Sequence, residues 1–389
     1  MKRIYLDYAA STPVREEVVE VMKPYWTSLF GNASAIPQAG RQADQAILNA
    51  RHTVATSLGA TDSEILFTSC GSESDNLALR GVMHPARKHG RGNHLITSVI
   101  EHKAVLDTAY QLRDLHGFDL TVVPVDAYGR VQLDQLERAI RADTVLISIM
   151  AANNEIGTCQ PVREIGEIAR RHSVLFHTDA IQAAVAQQFN LSNMPIDLLS
   201  LSAHKFYGPK GIGMLYVRQG VDITPQLTGG GQEGGLRAGT SNTPLIVGAA
   251  EALRLATAEL DDNVAHYLEL RDRLIKGVLE AFPADCRLTG HPTERLPHHA
   301  SFAFRHLSGN DLLIHLDAAG ISASSGSACL TGDPSPSSVL EALSLDPDWT
   351  KGGLRLTVGT PTTAREIEIL LDQMPDIVSA LRHFAASYA

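Results

Sequence analysis

A mainly parallel β-sheet covered by helices on both faces, followed by a smaller α+β unit, is the architecture expected of this 389-residue chain. Short apolar or β-branched runs alternate with helical patterns as far as residue 242, and such alternation builds right-handed β-α-β units. Polar and glycine-containing clusters follow the apolar runs, as loops at the carboxyl ends of parallel strands do. Beyond residue 242 the alternation loosens into a long helical pattern and then mixed strand and helix signals.

Strand-like runs fall at 64–68, 94–98, 120–125, 144–150, 174–177, 198–202 and 213–217. Between them lie helical patterns at 42–58, 73–83, 104–115, 133–139 and 162–171. A continuous helical pattern at 245–281 then leads to a strand at 300–304, a helix at 309–319, a strand at 354–358 and a helix at 364–386. The expected division is a large domain of residues 15–260 and a small domain of residues 1–14 plus 261–389. The small domain carries a turn-forming segment, about 322–337, that contains Cys329.

A hydrophobic fraction of 44% and a charged fraction of 20% are ordinary for a globular chain. The net charge of −10 argues against nucleic-acid or membrane-surface binding, which needs a basic face. Met1-Lys2-Arg3 leads straight into Ile4-Tyr5-Leu6-Asp7 with no signal-peptide pattern, and no apolar run approaches the ~20 residues of a membrane span. Cys70, Cys159, Cys286 and Cys329 are scattered, without a C-x-x-C pair or metal-ligand spacing. A reducing, cytoplasmic setting and no metal are therefore expected.

Five polar clusters after strands carry the chemistry. In Ser202-Ala203-His204-Lys205-Phe206-Tyr207-Gly208-Pro209-Lys210-Gly211, Lys205 follows the apolar run ending at Leu201. Burial there lowers an amine's pKa and makes it nucleophilic, although Lys210 in the turn is a rival. Asp179 ends the run Val174-Leu175-Phe176-His177-Thr178. It is either a buried carboxylate awaiting a cation such as a protonated pyridine nitrogen, or a helix N-cap. Thr68-Ser69-Cys70-Gly71-Ser72-Glu73-Ser74 joins a strand to a helix start, where bare N–H groups accept an anion, and Ser72 equally suits a cap. His102 and the pair Asn153-Asn154 also follow strands; alone, the histidine reads as structural and the asparagines as turn formers. Together an amine, a carboxylate, an imidazole and an anion cradle supply what an aldehyde-phosphate-pyridine cofactor requires.

At these residues the chain resembles the cysteine desulfurases of the NifS/IscS type, fold-type-I enzymes of the class V aminotransferase group that use pyridoxal phosphate. The resemblance runs nearly end to end, from Leu6-Asp7-Tyr8-Ala9-Ala10 through Phe30-Gly31-Asn32, Ser72–Asn76, Glu101–Val105, Asn153–Gly157 and Ser202–Gly213. It continues through Gly229–Thr240, Ser324-Ser325-Gly326-Ser327-Ala328-Cys329 and Gly353-Leu354-Arg355-Leu356. It implies a seven-stranded, mainly parallel sheet, with Lys205 bonded to the cofactor aldehyde and Asp179 paired with the ring nitrogen. Gln182 and Asn154 would lie near the ring oxygen, and His102 would stack on the ring and move protons. Gly71, Ser72, Ser202 and His204 would hold the phosphate, joined by Thr240 from the other subunit of a homodimer. Arg355 would grip the substrate carboxylate, a task its fork geometry suits, with Asn32 and Asn154 nearby. The implied reaction converts L-cysteine to L-alanine and leaves a persulfide on Cys329 for a protein acceptor. That acceptor would serve iron–sulfur cluster assembly, tRNA thiolation or DNA phosphorothioation.

Cys329 lies among small and turn-forming residues, Ser324–Ala328 before it and Thr331-Gly332-Asp333-Pro334-Ser335-Pro336 after it, a setting that gives a nucleophilic thiol access. Cys70, Cys159 and Cys286 have no such setting and read as structural. The chain departs from the family pattern at Gly234, often arginine, and Pro37, often histidine. It also ends at Ala389, without the longer tail through which iron–sulfur assembly enzymes dock a scaffold. The alternatives are another reaction on the same fold, such as transamination or selenocysteine cleavage, and a catalytically silent scaffold. Cys329 argues against transamination, and retention of both Lys205 and Cys329 argues against the scaffold.

Overall fold

The computed structural model describes residues 3–325 and 337–387. In chain order its strands are β1 (Ile4–Tyr5), β2 (Ile65–Thr68), β3 (His94–Ser98), β4 (Asp119–Val123), β5 (Thr144–Ser148) and β6 (Leu175–Asp179). They continue with β7 (Leu198–Ser202), β8 (Gly213–Val217), β9 (Cys286–Leu288), β10 (His299–Phe304), β11 (Ile321–Ser322) and β12 (Gly353–Thr357). The central sheet has seven strands in the order β2-β8-β7-β6-β5-β3-β4. β4, β3, β5, β6 and β7 run parallel, whereas β8 is antiparallel to both β7 and β2. The reversal follows from chain length, because residues 203–212 are fewer than the dozen or so a parallel crossover needs.

The strands read as near-continuous apolar runs because both faces of the sheet are covered. Side chains alternate across a strand, so Leu66, Leu95, Leu146, Leu198 and Leu215 enter one core. Their neighbours Phe67, Ile96, Ile147, Leu199 and Met214 enter the other. The helix Gly71–Lys88 packs on β5, β7 and β8, and the helix Lys103–His116 on β3 and β4. The first strand and the elements after residue 260 build a separate core in which Ile4 and Leu6 meet Leu274, Phe302, Leu354 and Leu370. Its strands form an antiparallel sheet, β12-β10-β9, and a parallel pair, β1-β11. The first residues of the chain thus pack with its last third.

The continuous pattern at 245–281 is two helices, Thr243–Ala258 and Leu260–Ala281. They break at Glu259 (φ −103°, ψ 11°), whose carboxylate receives Arg15 Nη1 at 2.5 Å. Hydrophobic periodicity passes through such a break unaltered. The strands β1, β9 and β11 have two or three residues each, too few to leave a periodic signal. Among the described residues no helix is long and apolar enough to cross a membrane.

Candidate active site

The carboxyl ends of β2, β3, β5, β6 and β7 open onto one cavity of about 290 Å³, which Ala9, Ala10 and Arg355 also line. Lys205 enters it from the 3₁₀ turn Ala203–Lys205 directly after β7. Its Nζ donates to the carbonyls of Ala9 (2.7 Å) and Ala10 (2.8 Å), which bring hydrogen bonds but no charge. Burial, and next the Arg355 guanidinium, lower its pKa from 10.5 to about 8, against the opposing pull of Asp7 and Asp179. The rival Lys210 is exposed and does not line the cavity. Tyr207, two residues beyond the lysine, holds a left-handed φ of 64°. Its N–H donates to Thr12 Oγ1 (2.7 Å) and its hydroxyl accepts the Thr360 N–H (2.7 Å). Tertiary contacts thus hold the strained turn that presents the amine.

Asp179, the last residue of β6, is buried and lines the same cavity. One carboxylate oxygen accepts the Ile181 N–H at 2.9 Å. Residues 181–186 form turns and not a helix, so the capping alternative has no helix to cap. Burial raises its pKa, opposed by His102, the Ile181 N–H and Lys205. His102 is the N-cap of the helix Lys103–His116, its Nδ1 accepting the Ala104 N–H at 3.1 Å. When the ring is neutral its proton therefore sits on Nε2.

Gly71 and Ser72 begin the 18-residue helix Gly71–Lys88 and line the cavity with Ser202 and His204. A Cβ on Gly71 would lie 2.2 Å from Ile181 Cδ1, so the end of that side chain would have to shift to admit one, and glycine leaves the space clear. Burial, then the Lys205 and Lys210 charges, lower the His204 pKa to about 4, which leaves a neutral ring there. Gln182 is buried in the lining, its Nε2 donating to Ala9 O (2.9 Å). Asn154 also lines the cavity, while Asn153 is wholly structural: its side chain bonds the Ile100 carbonyl and the Glu155 and Ile156 N–H groups.

Arg355, from β12, is buried, with Nη2 on Asp7 Oδ1 (2.7 Å) and Nη1 on the Asn154 carbonyl (2.8 Å). Its backbone exchanges two hydrogen bonds with Ser324, 2.6 Å and 3.1 Å. Ser337 Oγ donates to Glu155 Oε2 at 2.5 Å. Asp7 and Glu155 were not singled out as site residues. Their signal was a carboxylate within the apolar stretch Leu6-Asp7-Tyr8-Ala9 and another directly after Asn154. Glu155 is half-buried, and desolvation pushes its pKa up to about 6, with Ser337 and Arg355 opposing.

Two expected site residues stand apart in the single chain. Asn32 is exposed with its Oδ1 on the Ser34 N–H (2.9 Å), Thr240 is exposed, and neither lines the cavity. Cys329 lies outside the described residues. Cys286 and Cys159 are away from the lining, each thiol pushed up to about 12 by burial. Cys70, read as structural, does line the cavity, at the N-cap position before Gly71. Gly234 adopts φ 65°, a conformation glycine reaches without strain.

The cavity's donor set fits pyridoxal phosphate. It offers an amine of lowered pKa, a buried carboxylate whose second oxygen has no bonded cation, an imidazole, and a helix N-terminus kept clear by Gly71.

The family model for class-V aminotransferases matches residues 4–370. The chain is 49% identical over 384 residues to a cysteine desulfurase IscS of Methanosarcina thermophila, covering 99% of this chain and 94% of that protein. It is 45% identical to the cysteine desulfurase IscS of Dictyoglomus turgidum, covering 98% of this chain and 96% of the relative. Among solved structures, a NifS-like protein superposes with a TM-score of 0.91 at 38% identity, over 97% of this chain and all of that one.

Proposed function

The chain belongs to the class-V aminotransferase family and is a pyridoxal-phosphate-dependent cysteine desulfurase, and from that premise we propose how its residues divide the work. The carrying observation is the convergence of Lys205, Asp179, His102 and Arg355 on one cavity. The bound cofactor supplies an aldehyde for the substrate amine and an electron-withdrawing ring that stabilises negative charge at the substrate α-carbon.

Arg355 binds the cysteine carboxylate with the N–H groups that Asp7 and Asn154 leave free. Lys205 acts as the base that takes the α-proton and returns a proton to the product, because an amine with a pKa near 8 exchanges protons readily at neutral pH. Asp179 would pair its carboxylate with the ring nitrogen. His102 would stack on the ring and, with Nδ1 engaged, would offer Nε2–H for proton transfer. The N–H groups of Gly71 and Ser72, with Ser202 and His204, would hold the phosphate, and Gln182 and Asn154 would serve the ring oxygen.

Cys329 receives the sulfur. Its thiolate attacks the substrate Sγ, an S–S bond forms as the Cβ–Sγ bond breaks, and protonation at carbon releases alanine. Ser325 is four residues before Cys329, a tether of at most about 14 Å, and it follows the Ser324–Arg355 pairing at the cavity edge. We further assign residues 15–260 to a large domain and residues 1–14 plus 261–389 to a small one. The enzyme is a cytoplasmic homodimer in which Thr240, exposed in the single chain, reaches the neighbouring subunit's phosphate site, with Asn32 beside the substrate. A protein accepts the persulfide sulfur.

The test is Cys329→Ala. The purified variant should hold the cofactor, seen as yellow colour and borohydride trapping on Lys205, yet form neither persulfide nor sulfide from cysteine. Undiminished sulfide release would remove Cys329 from the mechanism.

A further inference from the structure

A second buried carboxyl group packs against β6 close enough to feel the charge of Asp179, and the proposed reaction does not use it. Asp75, in the second turn of the helix Gly71–Lys88, is fully buried. Neither of its oxygens has a hydrogen-bond partner, and the nearest basic nitrogen, His177 Nε2, is 3.7 Å away. That histidine is itself buried and committed: Nδ1 lies 2.8 Å from Ser148 Oγ and Nε2 3.0 Å from Ser200 Oγ, on the strands either side of β6. Burial takes its pKa down to about 3, so it brings no positive charge.

We propose that Asp75 is a positioning residue that carries the proton of a buried carboxyl pair, and so leaves Asp179 ionised for the ring nitrogen of the cofactor. The inference rests on the role given to Asp179. Two adjacent carboxyls in a dry interior do not both ionise, and hydrogen bonds decide which one holds the charge. Asp179 has the Ile181 N–H, with His102 and Lys205 close enough to favour its anion. Glu101, the third acid of the cluster, accepts the Met150 N–H (2.9 Å) and the Ser98 hydroxyl (2.5 Å). Among the described residues Asp75 has no cation and no donor in hydrogen-bond geometry, with only the Ser200 hydroxyl near enough to favour its anion. Every acidic neighbour that faces it (Asp179, Glu101, Cys70) disfavours its charge, and the Ser200 hydroxyl, engaged with His177, only partly offsets them. The proton therefore rests on Asp75.

The test uses the holoenzyme. Infrared difference spectra at about pH 7.5, taken with carbon-13 at the aspartate carboxyls so that the protonated Glu101 does not contribute, should show the isotope-shifted carbonyl band of a protonated carboxylic acid lost in Asp75→Asn and retained in Asp179→Asn. Asparagine is neutral like the protonated acid, so Asp75→Asn should also keep the pH midpoint of the cofactor absorbance within about 0.3 of the parent. Retention of the band in Asp75→Asn, or a midpoint lowered by about one pH unit or more, would overturn the proposal by showing Asp75 ionised. Asp179→Asn with an unmoved absorbance midpoint would instead refute the role of Asp179, so the two failures are distinct. Should Asp75→Asn not fold, the parent enzyme labelled with carbon-13 at aspartate carboxyls replaces it. One buried resonance at a neutral-acid shift that does not titrate near neutrality supports the assignment, and its absence refutes it.

Discussion

Lys205 should titrate about 2.5 pH below an ordinary lysine, and removing Arg355 should reverse part of that fall. The drop from 10.5 to about 8 arises first from burial and next from the Arg355 guanidinium, with Asp7 and Asp179 opposing. It corresponds to roughly 3 kcal/mol between the charged and neutral amine. At pH 7.5 it raises the free-amine fraction from about one in a thousand to about one in four, a gain of over two hundredfold in nucleophile and base. The measurement is trace acylation of cofactor-stripped protein across pH, reading the peptide that bears Lys205 by mass spectrometry, with exposed Lys210 as internal reference. Labelling of Lys205 should rise to a midpoint near 8. In Arg355→Met the loss of a like charge should raise that midpoint by about half to one pH unit. In Asp7→Asn the loss of an opposite charge should lower it. A parental midpoint at about 10 or above, or a fall in Arg355→Met, would refute the electrostatic account of the amine.

Glu101 has its pKa raised from 4.5 to about 8 by burial, against hydrogen bonds from Ser98 and Met150. The folded state therefore holds a proton that the unfolded chain releases, so stability should fall as pH rises from about 4.5 to 8 and then level off. Urea denaturation should show this slope, at most about 5 kcal/mol, flattened in Glu101→Gln; an identical slope in the variant assigns it elsewhere. In Gly213→Ala the new Cβ would lie 2.5 Å from the Cys70 carbonyl carbon, a backbone atom that cannot rotate away. It should cost about 1–3 kcal/mol in denaturant unfolding and loosen the cofactor cradle, and an unchanged midpoint contradicts the packing. Arg355→Lys loses the planar fork while keeping the charge, so KM for cysteine should rise about tenfold with kcat less affected. An unaltered KM would place carboxylate binding elsewhere.

Much of the site was legible because its chemistry sits at a repeated position, immediately after apolar runs. Asp179 ends one strand, Gly71, His102, Asn154 and Lys205 each come after another, and parallel strands bring their carboxyl ends to one edge. From local chemistry alone Lys205 and Lys210 are rivals, since both are lysines near a glycine turn, and only the family resemblance pointed to Lys205. Exposure of Lys210 and the half-buried setting of Lys205 in the cavity lining separate them in space. Nor was the break at Glu259, because helical periodicity on either side stays in phase with one continuous helix. Asp7 and Glu155 escaped notice as site residues because their partners, Arg355 and Ser337, lie far away in sequence.

Local chemistry along the chain was enough for the strand positions, the alternation with helices, the order of the polar clusters and the residue types a pyridine–aldehyde cofactor needs. These depend on neighbours a few residues apart, which is where periodicity and turn chemistry act. Contacts across the molecule decided the rest. The lining of the cavity by Ala9, Ala10 and Arg355, the pairing of Arg355 with Asp7, and the influence of Asp179 on the buried carboxyl of Asp75 all join segments distant in sequence. Desolvation is a property of what surrounds a group in space, so the state of Lys205, Asp179 and Asp75 is written only in the packed molecule.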